Sequence, residues 1–261
     1  MSPSPAVSSP GPEPTLRPRL AVPLITALLG LVVVLAVVVS GDNAVTRADA
    51  SSVAWVAEHR PGWLVDAARA VTLLGHGAIL AGVLVATCIA LALRGVLPPR
   101  VALLPPIALA VGGGCNPLWK AIVDRPRPPV ELRAAIEHSS GFPSGHATQA
   151  ASAWVALAIV LWLWGRGHPR WPLVAAAVLV GAIGATRVIL AVHSPTDVIA
   201  GWCWGIAAAL AVVGAVAYAE RSAAPRPESS EPPPDGGPTA APTASLSSPA
   251  SVRCATTSGA R

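Results

Sequence analysis

Six apolar runs, at about residues 20–40, 71–93, 101–123, 147–164, 172–192 and 198–218, leave this chain few ways to fold. Each holds about 17 to 25 residues, the length a helix needs to cross the hydrocarbon core of a bilayer. No water is available there, so each run must satisfy its own backbone N–H and C=O groups, which a helix does. The composition agrees, with 53% of residues hydrophobic and only 12% charged, outside the profile of an ordinary soluble domain. The expected fold is therefore all-α, a polytopic membrane bundle of six transmembrane helices over residues 20–220.

The segments outside the bundle are of another kind. Residues 1–19 and 221–261 are rich in Pro, Ser and Ala with little aliphatic content, which predicts disordered tails. Ala48-Asp49-Ala50 looks like a signal-peptide cleavage site. The apolar run before it is too long, and the site too far beyond it, so that run is read as an uncleaved anchor. Residues 50–70 mix apolar positions with Glu58, Arg60, Asp66 and Arg69, the pattern of an amphipathic element lying on the membrane surface. The third run carries Pro105-Pro106, Gly112 to Gly114 and Asn116-Pro117, breaks that a membrane tolerates where neighbouring helices satisfy the freed groups. It is expected in the interior.

Net charge is +5, but the basic residues are spread over short loops without interleaved aromatics, which argues against a nucleic-acid partner. They bear on orientation instead. The loops at 94–100 and 165–171 hold Arg94, Arg100, Arg166 and Arg170 and no acid, whereas the opposite loops also hold Asp42, Asp49, Glu58, Asp66, Asp124, Glu131 and Glu137. The short Arg-bearing loops are expected in the cytoplasm of a plasma membrane, with both termini. Trp55, Trp63 and Trp119 then form an outer interfacial belt, and Trp162, Trp164 and Trp171 an inner one. Cys88, Cys115, Cys203 and Cys254 show no spacing of a disulfide framework or zinc site.

Three polar clusters fall on the outer face under this topology: KAIVDRPRP at 120–128, PSGH at 143–146 and TRVILAVHSPTD at 186–197. PSGH closes a loop and opens a helix. Ser144 can cap it while the amides of Gly145 and His146 point outward at the positive end of the helix dipole, an anion site. The small residues Ala147, Thr148, Ala150, Ala151 and Ser152 allow close helix packing behind it. Lys120, the only lysine among 18 basic residues, joins Arg127 and Arg187 in supplying positive charge, the arginines with forked donors matched to phosphate oxygens. His146 and His193 titrate near neutrality and suit an acid and a nucleophile, and Asp197 follows His193 closely enough to orient its ring.

Taken singly, each cluster also has a plain structural reading. Lys120 and Asp124 stand four apart and fit a helix-end ion pair. Ser194-Pro195-Thr196-Asp197 is a good helix start in which the acid caps. Arg187 fits a snorkelling side chain, and His59, His76, His138 and His168 fit surface or structural roles.

Together, Lys120 with Arg127-Pro128 after six residues, then Pro143-Ser144-Gly145-His146, then Arg187, His193 and Asp197, resemble the three-part signature of the type 2 phosphatidic acid phosphatase family, which includes the vanadium haloperoxidases. Thr186 departs from it, standing where the family usually has Ser. The resemblance implies that His193 attacks phosphorus to form a phosphohistidine, Asp197 orients it and His146 protonates the leaving oxygen. It also implies that Lys120, Arg127, Ser144, Gly145, Arg187 and Thr186 cradle the phosphoryl oxygens. No metal or other cofactor is expected, since cations and amides supply the charge stabilisation.

The activity expected from this is hydrolysis of a lipid phosphate monoester or diphosphate at the outer membrane face. Candidates are undecaprenyl or similar polyprenyl diphosphate, phosphatidic acid and phosphatidylglycerophosphate, with membrane lipids as surroundings. A lipid phosphotransferase using the same site, and a non-catalytic phosphate-binding or transport protein, are the alternatives. A haloperoxidase is opposed by the six apolar spans.

Overall fold

A computed structural model describes residues 18–223; the expected tails lie almost wholly outside them. Their boundaries move slightly inward, because the first helix starts at Pro18 and the last runs to Ala223. A proline in the first turn costs a helix no hydrogen bond.

The described residues contain helices and no strand. In chain order these are α1 (Pro18–Val39), α2 (Ala44–His59), α3 (Gly62–Thr72), α4 (Gly77–Leu93), α5 (Pro99–Val123), α6 (Gly145–Trp164), α7 (Trp171–Ile189) and α8 (Pro195–Ala223). Five of them are long and apolar enough to cross a membrane, and α3 with α4, bent by 58° at their junction, passes the same test only as a pair. Leu20, Val33, Val37, Ile89, Leu93, Val174 and Val178 stand exposed on the outside of the bundle. In a soluble protein such a surface would aggregate; against lipid it costs nothing.

Local chemistry sets the breaks. Asn43 starts α2 with a capping box, its side chain accepting from Val45 N and Thr46 N while Thr46 Oγ1 accepts from Asn43 N. Pro61 ends that helix, so the amphipathic stretch expected as one element is two helices meeting at Arg60-Pro61. The second apolar run, expected to be continuous from residue 71, breaks at His76, where extended backbone (φ −74°, ψ 124°) interrupts the helix.

Helix α5 is broken at Leu103 and Cys115, and each new segment restarts with proline in its first turn. A neighbour covers the second break: Trp204 Nε1 donates to the Gly112 carbonyl at 3.0 Å. Helix α5, expected in the interior, is partly enclosed. Its apolar window is 39% buried, against 67% for α6 and 56% for α8.

Helices α6 and α8 form the centre because small residues let their backbones approach. A β-carbon built at Gly201 would lie 2.8 Å from the Ser144 carbonyl oxygen and 3.0 Å from Ala147 Cβ. Only glycine fits there. Behind this contact α6 widens into a π-turn at Ala151–Val155, a local irregularity found often at functional sites. Trp55, Trp63 and Trp171 are exposed as belt residues should be, but Trp119 packs edge-on against Trp204 with ring centroids 5.7 Å apart.

Candidate active site

The three clusters meet at one end of the bundle, under α2, α3 and the 124–144 loop. RPRP at 125–128 explains how the first cluster divides its labour. Each arginine precedes a proline and is therefore held extended, and extended residues two apart share a side only if the chain runs straight. Here they part: Arg127 enters the pocket and Arg125 goes behind it.

His193 is buried. It follows a helix end of the Schellman type, in which Val192 N donates to the Arg187 carbonyl and Ala191 N to that of Val188. Ala191 holds the left-handed position (φ +53°) usually taken by glycine. His193 N also donates to the Arg187 carbonyl, so this reversal ties histidine and arginine together. Its Nε2 lies 3.1 Å from Arg127 Nη1, and its Nδ1 lies 3.6 Å from Asp197 Oδ2. That second distance is too long for a closed hydrogen bond but near enough for the carboxylate to orient the ring. Burial pushes the imidazole down to about 4, an effect Asp197 only partly offsets, so the ring is neutral at neutral pH.

Asp197 combines the two roles its sequence context suggested. Its Oδ2 accepts from Ser194 N at 2.9 Å, as a helix-capping acid does, while the same oxygen faces His193. Its backbone carbonyl accepts from Ser144 N at 3.0 Å, which fastens the second cluster to the third. Ser144 occupies the N-cap position but its hydroxyl makes no capping bond, contrary to expectation. That buried hydroxyl has no partner among the described residues, and neither have Arg187 Nε and His193 Nδ1. Unpaired buried polar atoms are costly; Asp197 stands beside His193 Nδ1, and the Ser144 hydroxyl and Arg187 Nε fit a polar ligand.

Arg187 donates to Thr72 Oγ1 at 2.8 Å and pairs with Glu137, whose other oxygen is 3.5 Å from Arg127 Nη2. Glu137 is a member of the site that the sequence did not reveal. Burial would raise its carboxyl, but Arg187, Arg127 and His146 together hold it below the usual range. Burial lowers Arg127, with Arg187 adding to the effect and Glu137 opposing it. Arg127 also donates to the Val192 carbonyl at 2.8 Å and the Ser139 carbonyl at 2.5 Å. Lys120 does not pair with Asp124; its Nζ donates to the Ser140 carbonyl, and Ser140 Oγ returns a bond to the Lys120 carbonyl at 3.1 Å. Residues 139–141 thus lace the first cluster to the second, with Gly141 N donating to the Arg125 carbonyl at 2.7 Å.

His146, half-buried in the first turn of α6, lies edge-on to His76 at 6.1 Å between ring centroids. Thr186 is drawn away from the pocket, its hydroxyl donating to the Ile183 carbonyl at 2.6 Å within its own helix. Arg125 and Asp49 were not foreseen. Arg125 donates to Asp197 Oδ1 at 2.6 Å and to Asp49 Oδ2 at 2.8 Å. Asp49 had drawn notice only as an outer-loop acid and for resembling part of a cleavage site. Burial works against the Arg125 charge, but the two carboxylates hold its guanidinium above the ordinary range.

Residues 101–221 match the family model of the PAP2 superfamily, and all three clusters fall inside that segment. This segment resembles the PAP2 superfamily, as the three-part signature implied. Its fold is similar to the crystal structure of the first transmembrane PAP2 type phosphatidylglycerolphosphate phosphatase from Bacillus subtilis, with a TM-score of 0.68 and 26% identity. The similarity covers 76% of this chain and 96% of that one. No curated protein matches the sequence. The family-model match and this likeness support a multi-pass membrane protein similar to lipid phosphatases. Among the described residues no cluster of His, Cys, Asp and Glu is arranged to hold a metal ion.

Proposed function

We propose that this protein hydrolyses a lipid phosphate monoester or diphosphate through a phosphohistidine on His193, without a metal. The placement of His193 carries the reading: Nδ1 faces Asp197, and Nε2 faces Arg127, which shares Glu137 with Arg187. The phosphoryl oxygens would be held by Lys120, Arg127, Arg187, the Ser144 hydroxyl and the Gly145 amide. Thr186 would join only by turning its hydroxyl from Ile183.

The Nε2 lone pair attacks phosphorus, the bond from phosphorus to the lipid oxygen breaks, and His146 gives that oxygen its proton. Asp197 stabilises the imidazolium character His193 then acquires. Water next attacks the phosphohistidine and gives a proton to His146; phosphate leaves and His193 recovers its lone pair. The fixed cations stabilise charge spread over the equatorial oxygens. Similarity to the Bacillus subtilis enzyme makes phosphatidylglycerophosphate the first substrate to assay, beside phosphatidic acid and undecaprenyl diphosphate. The acid-free, Arg-bearing loops support a pocket on the extracytoplasmic side with both termini in the cytoplasm.

The test is phosphate release by purified protein in detergent from this lipid panel, with chelator present, beside His193→Ala and His146→Ala. Release by the wild type alone is expected. Activity in His193→Ala overturns the mechanism, and a requirement for added metal overturns the metal-free reading. For sidedness, a cysteine placed at residues 124–142 should react with an impermeant thiol reagent on intact cells; labelling of Cys254 instead would invert the topology.

A further inference from the structure

Behind Asp197 lies a closed ionic unit that the reaction as described does not use. Arg125 Nη1 donates to Asp197 Oδ1 at 2.6 Å and to Thr196 Oγ1 at 2.8 Å, and its Nη2 donates to Asp49 Oδ2 at 2.8 Å. Thr196 completes the ring, its hydroxyl and its backbone N–H both donating to Asp49. The Arg125, Asp49 and Asp197 side chains are only 8%, 5% and 1% exposed. Every oxygen of the two carboxylates has a donor, so the unit is complete without solvent.

We propose that Asp49 and Arg125 are positioning residues for His193, a charge-balancing pair that keeps Asp197 both fixed and anionic. The inference rests on the phosphohistidine reading. Its logic is arithmetic of charge. Asp197 buried without a cation would be an uncompensated charge, costly to hold beside the His193 ring. Arg125 alone would prevent this but neutralise the pair. By sharing the guanidinium, Asp49 leaves the triad with a net charge of −1 beside His193. Buried ion groups can be merely structural. What ties this one to the chemistry is that His193 Nδ1, without another partner, faces the remaining side of Asp197 at 3.6 Å. Asp49 lies on α2, outside the segment 101–221 that matches the family.

Opposite charges predict opposite effects on the protonation of His193. The other charged or titratable groups around it are Arg127 and Glu137 from the 124–144 loop, Arg187 from α7, Lys120 from α5, His146 from α6 and Asp197 from α8. All are left intact in the test. Full-length protein in detergent is assayed against dioctanoyl phosphatidic acid across pH as wild type, Asp49→Asn, Arg125→Gln and the double variant. Removing the negative charge of Asp49 should move the acid limb of kcat/KM to lower pH. It should also cut kcat about tenfold with KM within about twofold, since the imidazolium-like state loses support. Removing the positive charge of Arg125 should move the limb to higher pH. Shifts on the order of one pH unit are expected, and the double variant, net −1 again, should return toward the wild-type profile. The substrate's own titration is common to all four and cancels.

Shifts in the same direction, or none, overturn the proposal. If the single variants do not fold, the double variant and Arg125→Lys decide it, since both keep the net charge; a displaced acid limb in either overturns it. His193→Ala separates the two levels of argument. Inactive His193→Ala with unshifted limbs in the other variants sinks this inference alone, whereas active His193→Ala sinks the reading beneath it.

Discussion

The contact between α6 and α8 makes Gly201→Ala the most informative single substitution. A β-carbon there would lie 2.8 Å from the Ser144 carbonyl oxygen, 3.0 Å from Ala147 Cβ and 3.2 Å from Thr148 N. Two of these are backbone atoms of a helix start and cannot rotate away. The helices must separate by roughly 0.6 Å to reach ordinary contact, an overpacking cost of about 1–3 kcal/mol. The movement is transmitted to chemistry because Ser144 N is bonded to the Asp197 carbonyl at 3.0 Å. Separating α6 from α8 therefore displaces Ser144 and His146 relative to His193 and Asp197. Misplacement approaching 1 Å costs up to about 10²-fold in rate. Thermal unfolding in detergent and kcat on a lipid phosphate should show a moderate stability loss with a much larger rate loss. Gly30→Ala is the control, since no atom lies within 4 Å of a β-carbon there and alanine favours a helix interior by up to about 1 kcal/mol. Wild-type rate and stability in Gly201→Ala, or equal damage from Gly30→Ala, would refute the close-packing argument.

The remaining predictions are shorter. Because burial holds His193 at about 4 against an ordinary 6.5, the unfolded chain takes up a proton first as pH falls. Its contribution to stability is full above pH 6.5 and is lost between 6.5 and 4; thermal unfolding across that window should decline less steeply in His193→Asn. Arg187→Lys keeps the charge but not the fork that reaches Thr72 and Glu137 while leaving Nε unpaired, so kcat/KM should fall about 10²-fold or more. Near-normal kcat/KM would show that charge alone suffices. Ala191→Gly relieves a left-handed residue worth about 1–2 kcal/mol, against the lost methyl contact and the greater freedom of unfolded glycine. It should therefore destabilise at least about 1 kcal/mol less than Ala207→Gly in the interior of α8, measured by the same unfolding assay.

What was legible in the sequence depended on the range of the interaction that encodes it. Apolar length is a local property, and it announced the spans, apart from the break at His76 and the split at Arg60-Pro61. The proposed phosphate-binding residues were legible because three short motifs each keep their own spacing, which the Arg187 to His193 reversal explains: a Schellman turn needs that many residues to bring the following histidine N–H to the carbonyl of a helix-end arginine. Arg125 and Asp49 were illegible for the opposite reason. They are 76 residues apart, and neither sits in a pattern that distinguishes a buried pair from loop charges. Glu137 was counted only as an outer-loop acid, although it pairs with Arg187 across 50 residues. No local signal separated the two arginines: extended residues two apart share a side in a straight chain, so RPRP alone would put Arg125 and Arg127 on one face.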